Sequence, residues 1–186
     1  MSWNQTLKTA SDGAEPIPLP NGIEMPETIS ARELQETEFP PVSWLVKDLV
    51  PEGLTLLAGK TKLGKSWLAL QMGYAVATGG EFLGRQAPKG TVLYAALEDN
   101  PRRLRSRLAK SCTEIYDWPD SLVFATEWPR LASGGLAAVD AWIGQHTDTR
   151  LVIIDTLATV RPSGNARDSH YQSDYFALRG LHSLAK

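Results

Sequence analysis

The chain has 186 residues, of which 42% are hydrophobic and 22% charged, and these proportions exclude a wholly disordered or fibrous protein. A formal net charge of -2 excludes a globally basic surface, so any contact with nucleic acid would need a local patch. The single cysteine excludes an internal disulfide, and the three histidines lack the spacing of metal ligands. Since the sequence contains neither a membrane-length apolar run nor a signal peptide, we expect a cytoplasmic protein with no membrane partner.

Residues 1–40 combine proline, glycine and acidic residues with isolated apolar ones. Such a composition buries too little apolar surface to offset the entropy lost on ordering, and it predicts a flexible leader. Within it, Ser30 and Glu33 have the spacing of a helix capping box, which predicts a short helix over residues 30–38 that ends before Pro40. This short helix carries no residue pattern typical of catalysis.

From residue 42 onward, apolar strand-like segments alternate with helical ones. Near-continuous apolar strands are typical of a parallel sheet that helices cover on both faces. The order therefore predicts an α/β fold, with residues 41–186 forming one domain. The predicted strands span residues 54–58, 91–97, 122–125 and 151–154, and the predicted helices span residues 65–78, 101–110, 136–145 and 171–186.

A glycine-rich loop, GKTKLGKS at residues 59–66, lies between the first predicted strand and helix and matches the pattern G-x-x-x-x-G-K-[ST]. Such a loop wraps around a polyphosphate with its backbone N–H groups, and the following helix N-terminus adds positive partial charge. Lys65 would reach the β- and γ-phosphates, and the Ser66 hydroxyl would coordinate Mg²⁺. The alternative is a glycine turn that starts a capped helix and binds no nucleotide. The predicted nucleotide-binding residues are Gly59, Lys60, Thr61, Lys62, Leu63, Gly64, Lys65, Ser66 and Trp67.

Asp155 directly follows the apolar strand predicted at residues 151–154. A carboxylate at the carboxyl end of a parallel strand near the phosphate loop can hold nucleotide-bound Mg²⁺, usually through water. Alternatively, an aspartate in this place caps the following turn. Because the phosphate loop is present, we predict that Ser66 and Asp155 hold Mg²⁺ as the cofactor of a bound nucleotide, Asp155 through water.

Hydrolysis also needs a group that orients the attacking water, and Glu98 stands at the end of the strand predicted at residues 91–97, where it could do so. Its neighbour Asp99 is an alternative functional carboxylate, although successive residues point apart on an extended chain. A further interpretation is a helix start, with Asn100 as the cap. We predict two catalytic residues, namely Glu98, which aligns water, and Lys65, which stabilises phosphoryl charge.

Three segments together carry a family resemblance: residues 39–84 around the phosphate loop, LYAALEDNPRRLRSRL at residues 93–108 and LVIIDTLATVR at residues 151–161. Over residues 39–186 the chain resembles the RecA-like AAA-family P-loop ATPases of plasmids and phages. These are similar to RepA-type hexameric replicative DNA helicases. The resemblance implies a RecA-like fold, a parallel sheet flanked by helices.

By this resemblance, the candidate residues take named roles. Lys65 and Ser66 belong to a Walker A motif, and Asp155 belongs to a Walker B motif. Glu98, in the L-E-D segment, is the catalytic carboxylate. The resemblance also implies ATP with Mg²⁺ as ligand, a homo-oligomeric assembly in the form of a hexameric ring, and single-stranded DNA as a partner.

The resemblance further implies strands that the sequence does not contain. Family members continue from a helix like the one predicted at residues 171–186 into an apolar strand between the Walker A and Walker B strands. Without that strand, the sheet has a central gap with unpaired backbone groups. We therefore expect a form of the RecA-like fold that is truncated at its C-terminus.

Four arginines make the helix predicted at residues 101–110 strongly basic. They could contact a nucleic-acid backbone or the nucleotide of an adjacent subunit, but a solvated helix face is the preferred interpretation. By resemblance, the polar loop at residues 161–167 could contact DNA or sense the nucleotide. The four arginines are Arg102, Arg103, Arg105 and Arg107.

These features predict a RecA-like ATPase domain that hydrolyses ATP·Mg²⁺ to drive translocation on DNA or its unwinding in plasmid or phage replication. An alternative is a truncated or regulatory subunit that binds nucleotide without hydrolysing it, which the missing strand favours. A third interpretation is a small-molecule P-loop kinase. The L-E-D segment argues against a kinase, and the sequence offers no identifiable acceptor pocket or lid.

Overall fold

The computed structural model describes residues 27–111, 117–161 and 170–185. The chain divides into two compact units, residues 1–40 and residues 41–186. Much of the predicted leader and most of the polar loop predicted after Asp155 lie outside the described residues. Among the helices of the described ranges, none combines the length and the apolar character needed to cross a membrane.

In the first unit, the described residues form one short helix, α1 (Ala31–Glu36). The Ser30 hydroxyl accepts a hydrogen bond from the Glu33 backbone N–H at 3.2 Å, and the Glu33 carboxylate accepts one from the Ser30 N–H at 2.7 Å. These hydrogen bonds from Ser30 hold the pKa of the Glu33 carboxyl below its ordinary value. The reciprocal pair is the capping box expected from the sequence, and the helix ends two residues earlier than predicted because Thr37 is extended.

The second unit alternates strands and helices. Its first half consists of β1 (Trp44–Val46), β2 (Val50–Pro51), α2 (Lys65–Thr78), β3 (Glu81–Phe82), β4 (Arg85–Gln86), β5 (Thr91–Ala96) and α3 (Pro101–Ser111). Its second half consists of β6 (Leu122–Ala125), a 3-10 turn (Leu131–Ser133), α4 (Gly135–Gln145), β7 (Thr149–Asp155), α5 (Leu157–Val160) and α6 (His170–Leu184).

A three-stranded parallel sheet in the order β6-β5-β7 forms the centre of this unit. Every residue of β5 is buried, because β5 has a hydrogen-bonded strand on each side and apolar clusters on both faces. Ala96, the last residue of β5, is in register with Asp155, the last residue of β7. The predicted α/β fold with a parallel sheet flanked by helices is thus confirmed, and the register brings two strand ends to one edge.

The two faces of the sheet pack against different helices. On one face, Val92, Tyr94 and Ala96 join α2 and the apolar side of α3 in the larger core cluster. The other face contributes to a smaller cluster, in which Ile154 packs with residues of α5 and α6. Alternate strand residues point to opposite faces, so Tyr94 must lie on the side of α2. This places its ring directly under the segment that follows the phosphate loop.

Two short antiparallel hairpins, β1–β2 and β3–β4, were not predicted. Each of their strands has only two or three residues, too few for a periodic apolar pattern. An ion pair of 2.7 Å between Arg85 and Asp48 joins the second hairpin to the turn of the first. Each hairpin contributes a buried residue to the larger core, Val46 from the first and Phe82 from the second.

The prediction of a strand at residues 54–58 is wrong, because these residues form no hydrogen-bonded strand in the structure. These residues belong to no strand, and Leu54, Leu56 and Leu57 are 37%, 60% and 50% exposed. A strand needs a neighbour that accepts and donates its backbone hydrogen bonds, and in the described part of the chain the parallel sheet contains only β6, β5 and β7. The apolar composition of residues 54–58 is thus typical of a buried segment, but the described residues do not cover its leucine side chains.

Candidate functional site

The loop at residues 59–66 is folded around its own lysine. The Lys65 ammonium donates hydrogen bonds of 2.8 Å to the Gly59 carbonyl and of 2.8 Å to the Lys60 carbonyl. Gly64 has φ 88°, a left-handed conformation that side-chain-bearing residues rarely adopt. Gly64 thus allows the chain to turn into α2, and the Lys65 ammonium joins the end of the loop to its beginning, which places a positive charge within the loop.

The N-terminus of α2 faces the same loop. No side chain of the described residues caps this end, and the residue at the cap position is Gly64. The first N–H groups of a helix have no acceptor within the helix, so an uncapped end offers hydrogen-bond donors and the positive pole of the helix dipole to an anion. The loop and α2 together provide the features that phosphate binding requires.

The carboxyl ends of β5 and β7 meet beside this loop. The backbone N–H of Leu97 donates a hydrogen bond of 2.7 Å to the Asp155 carbonyl, which extends the pairing of the two strands past Ala96. A cavity of about 100 Å³ lies at this edge. The cavity is lined by Ser66, Ala96, Glu98, Asp99, Arg103, Arg107 and Asp155.

Three of the predicted site residues, Ser66, Glu98 and Asp155, therefore line one cavity although they come from three separate elements. Ser66 and Asp155 are partly buried, whereas Glu98 is exposed at the mouth of the site, so all three side chains are accessible. The other predicted nucleotide-binding residues do not line it. Residues 59–63 are exposed in the loop, and Trp67 lies under an arginine of α3.

The Asp155 carboxylate is held by a buried tyrosine. The Tyr94 hydroxyl, on a side chain only 1% exposed, donates a hydrogen bond of 2.9 Å to Asp155 Oδ2 and lies 3.3 Å from the Ser66 carbonyl oxygen. Burial raises the pKa of Tyr94 well above its ordinary value, and the negative charge of Asp155 raises it further. The hydroxyl therefore remains a hydrogen-bond donor throughout the physiological pH range. Tyr94 was not predicted as a site residue, because a single tyrosine within an apolar strand has no pattern that distinguishes it from a core residue.

Asp99 is engaged by arginines and differs in this from Glu98. Its side chain is 5% exposed and forms an ion pair with Arg107. Arg103 Nε lies 3.1 Å from Asp99 Oδ1, a distance within ion-pair range, although the pair lacks the alignment of a hydrogen bond. Among the described residues Glu98 forms no ion pair, so it is the carboxylate available to a ligand.

The start of α3 combines both roles considered for this segment. The Asn100 side-chain carbonyl accepts a hydrogen bond of 2.9 Å from the Arg103 N–H, and Pro101 is the first helical residue. Asn100 therefore caps α3 while Glu98, two residues earlier, lines the cavity. The helix-start interpretation and the functional interpretation are compatible.

The interpretation of the four arginines of α3 as one solvated face is partly wrong. Arg102 and Arg105 are exposed, but Arg103 and Arg107 line the cavity, and the Arg107 side chain is only 19% exposed. The physical reason is spacing, since residues four apart lie on the same face of a helix. A signal was present in the sequence, because Asp99 lies four residues before Arg103 and eight before Arg107.

The residues at the strand ends suit a magnesium ion. Mg²⁺ prefers oxygen ligands and is bound in nucleotide sites through one or two protein oxygens together with substrate phosphates. Ser66 offers a hydroxyl and Asp155 a carboxylate to the same cavity. Within the part of the chain that the structure describes, no group of three His, Cys, Asp or Glu side chains is placed to hold an ion without such phosphates.

A family model described as an AAA domain matches residues 21–182 of the chain. The matched range includes the glycine-rich loop, both strand ends and all residues that line the cavity. No curated protein matches the chain significantly.

Proposed function

Because the chain belongs to the AAA domain family, the AAA-type P-loop ATPases of the RecA-like superfamily, we propose that it binds ATP with Mg²⁺ and hydrolyses the nucleotide. One observation carries this proposal more than any other. Ser66 at the end of the phosphate loop, Glu98 just after β5 and Asp155 at the end of β7 line the same cavity. A hydroxyl, a free carboxylate and an oriented carboxylate at one point are what metal-assisted phosphoryl transfer to water requires.

Phosphate binding would use the loop and the start of α2. Backbone N–H groups of residues 60–66 would donate to the β- and γ-phosphates. The Lys65 ammonium, which now donates to the Gly59 and Lys60 carbonyls, would turn one or more of its three donors to the phosphates. Its positive charge would then stabilise the negative charge on the transferred phosphoryl group.

Ser66 and Asp155 would hold Mg²⁺, Asp155 through a water molecule. When bound, the ion neutralises phosphate charge and polarises the γ-phosphoryl group. The protein contributes orientation, since the Asp155 carboxylate is held by Tyr94 and by the β5–β7 pairing.

Glu98 would orient the attacking water by accepting a hydrogen bond from it. The water oxygen bonds to the γ-phosphorus, the bond from that phosphorus to the bridging oxygen of ADP breaks, and the proton of the water passes to the carboxylate or to the departing phosphate. Asp99 is unsuited to this task because it is already paired with Arg107.

The test compares ATP turnover and nucleotide affinity in the wild type, Glu98→Gln and a control, Glu81→Gln, at an exposed residue of β3. We expect Glu98→Gln to lower turnover by about 10²- to 10⁴-fold, the usual contribution of a general base, while the affinity for ATP stays within a few-fold. Glu81→Gln should change neither. Turnover by Glu98→Gln at the wild-type rate would refute the catalytic role of Glu98.

We also propose, from the sequence resemblance, that hydrolysis drives movement on single-stranded DNA by a homo-oligomeric ring during plasmid or phage replication. The support is the likeness of residues 93–108 and 151–161 to RepA-type helicases. Phosphate release measured with and without single-stranded DNA, together with the mass of the protein in solution with ATP, tests it. DNA-independent turnover by a monomer would contradict the proposal.

A second candidate function is nucleotide binding without hydrolysis. It is favoured by residues 54–58, which precede the phosphate loop without pairing to a described strand, so no described strand fixes the start of the loop. This function would be supported over the first if the wild type bound ATP but showed no turnover above that of Glu98→Gln.

A further inference from the structure

Tyr94 occupies a fixed position between the two strands and α2. It is in register with Ile153 of β7 and with Phe124 of β6, and its ring lies 5.6 Å from the Phe124 ring, tilted by 37°. The side chain is 1% exposed, so its rotamer is set by packing on all sides. The position of the Tyr94 hydroxyl is therefore fixed by the packing of the ring.

That position lies between the side chain of Asp155, which is proposed to hold the metal, and the backbone of Ser66. The hydroxyl is 2.9 Å from Asp155 Oδ2 and 3.3 Å from the carbonyl oxygen of Ser66. Since a hydroxyl has one proton, it donates to the carboxylate, the nearer and negatively charged acceptor. One oxygen of Asp155 is thus occupied by Tyr94, and within the described residues the other, Oδ1, accepts no hydrogen bond.

Packing alone does not require this hydroxyl, since a phenyl ring would fill the same space. What the hydroxyl adds is a constraint on the torsion of the Asp155 side chain, because a carboxylate with one oxygen fixed cannot rotate to present a different oxygen to the cavity. Side chains that hold metal ligands in this manner typically contribute 10- to 100-fold to metal affinity.

We propose that Tyr94 is a positioning residue for the nucleotide-bound metal, and that its hydroxyl holds the Asp155 carboxylate in the orientation that accepts hydrated Mg²⁺. This inference rests on the proposed function, because it assumes that the cavity receives a metal–nucleotide complex. Tyr94 does not itself line the cavity, and it acts through Asp155.

The test measures ADP binding by calorimetric titration, in EDTA and in Mg²⁺, for the wild type, Tyr94→Phe and Tyr74→Phe. Tyr74 is a matched control because it lies in α2 and packs against the same core, but it does not line the cavity. With ADP as the probe, the readout does not depend on turnover. Thermal unfolding tests whether each variant is folded. Asp155→Asn gives a second reference: when Tyr94→Phe is added to it, the gain in ADP affinity from Mg²⁺ should fall no further.

We expect Tyr94→Phe to bind ADP in EDTA as the wild type does and to lose about 10- to 100-fold of the gain in affinity that Mg²⁺ gives the wild type. Tyr74→Phe should retain the full gain. A Tyr94→Phe protein with the wild-type response to Mg²⁺, or with equal losses in EDTA and in Mg²⁺, would overturn the inference while leaving the proposed function intact. If the wild type bound no ADP in either condition, both would fall.

Discussion

The guanidinium carbon of Arg107 lies 5.7 Å from the centroid of the Trp67 ring, within the range of a cation–π interaction. Trp67 directly follows Ser66 in α2, and Arg107 forms an ion pair with Asp99, the neighbour of Glu98. The contact therefore joins the helix that starts at the phosphate loop to the turn that presents the candidate catalytic carboxylate.

Arg107→Ala should destabilise the protein more than Arg105→Ala. Removal of Arg107 leaves the Asp99 carboxylate, which is 5% exposed, without its closest positive partner, and this should lower the free energy of unfolding by about 1–3 kcal/mol. Arg105 is an exposed arginine of the same helix, so its removal should cost less than about 0.5 kcal/mol. Urea unfolding of the two variants makes the comparison, and equal losses would show that the Asp99–Arg107 pair contributes nothing.

Lys65→Ala should weaken nucleotide binding with little effect on the fold. A hydrogen bond to a charged group contributes about 1.5–3 kcal/mol, so loss of the ammonium should lower the affinity for ADP or ATP at least about 10-fold. Lys62→Ala is the matched control, since it removes an exposed ammonium of the same loop but keeps the backbone N–H that residue 62 would offer to phosphate. Calorimetric titration measures both affinities. Equal effects of the two substitutions would mean that the loop attracts phosphate only through its overall charge.

Leu56→Ser should be tolerated although it lies in an apolar segment. Leu56 is 60% exposed, so its replacement should change the free energy of unfolding by less than about 0.5 kcal/mol. Leu93→Ala in β5 is the buried counterpart, 1% exposed, and should cost about 2–5 kcal/mol. Thermal or urea unfolding distinguishes them. A loss for Leu56→Ser as large as that for Leu93→Ala would show that residues 54–58 are buried in solution.

Two glycines should respond in opposite directions to alanine. A Cβ at Gly90, just before β5, would stand 2.6 Å from the Asp148 carbonyl oxygen, so Gly90→Ala must displace backbone and should destabilise the protein by more than about 1 kcal/mol. A Cβ at Gly144, in α4, would meet nothing within 4 Å. There alanine should stabilise the protein by about 0.5–1 kcal/mol, through helix propensity alone. The melting temperatures of both variants test these expectations. A stabilised Gly90→Ala protein would contradict the close approach of Gly90, just before β5, to Asp148, just before β7.

Several elements were predictable because their signals are local. The helix predicted at residues 65–78 is α2, and the strand predicted at residues 122–125 is β6, since each is bounded by its own apolar pattern and punctuation. The phosphate loop was equally readable, because its glycines, lysine and serine act within eight consecutive residues. The chemical character of Glu98 and Asp155 was evident from their places at strand ends.

Residues 54–58 show where such reasoning stops. Their apolar composition is typical of a buried strand, yet a strand exists only when another strand hydrogen-bonds to it, and the five residues themselves do not encode that pairing. The two short hairpins were not predicted for a different reason, since strands of two or three residues are too short to show a periodic apolar pattern.

The sequence by itself determined the α/β class, the phosphate loop and the residue types of the candidate site, because each depends on neighbours along the chain. Only the tertiary structure decided that Tyr94 holds Asp155, 61 residues away, and that Arg107 lies over Trp67. It also separated Glu98, which lines the cavity without an ion pair among the described residues, from Asp99, which arginines engage. These relationships arise from strand register and helix packing, which bring distant residues within hydrogen-bonding distance and which no local pattern encodes.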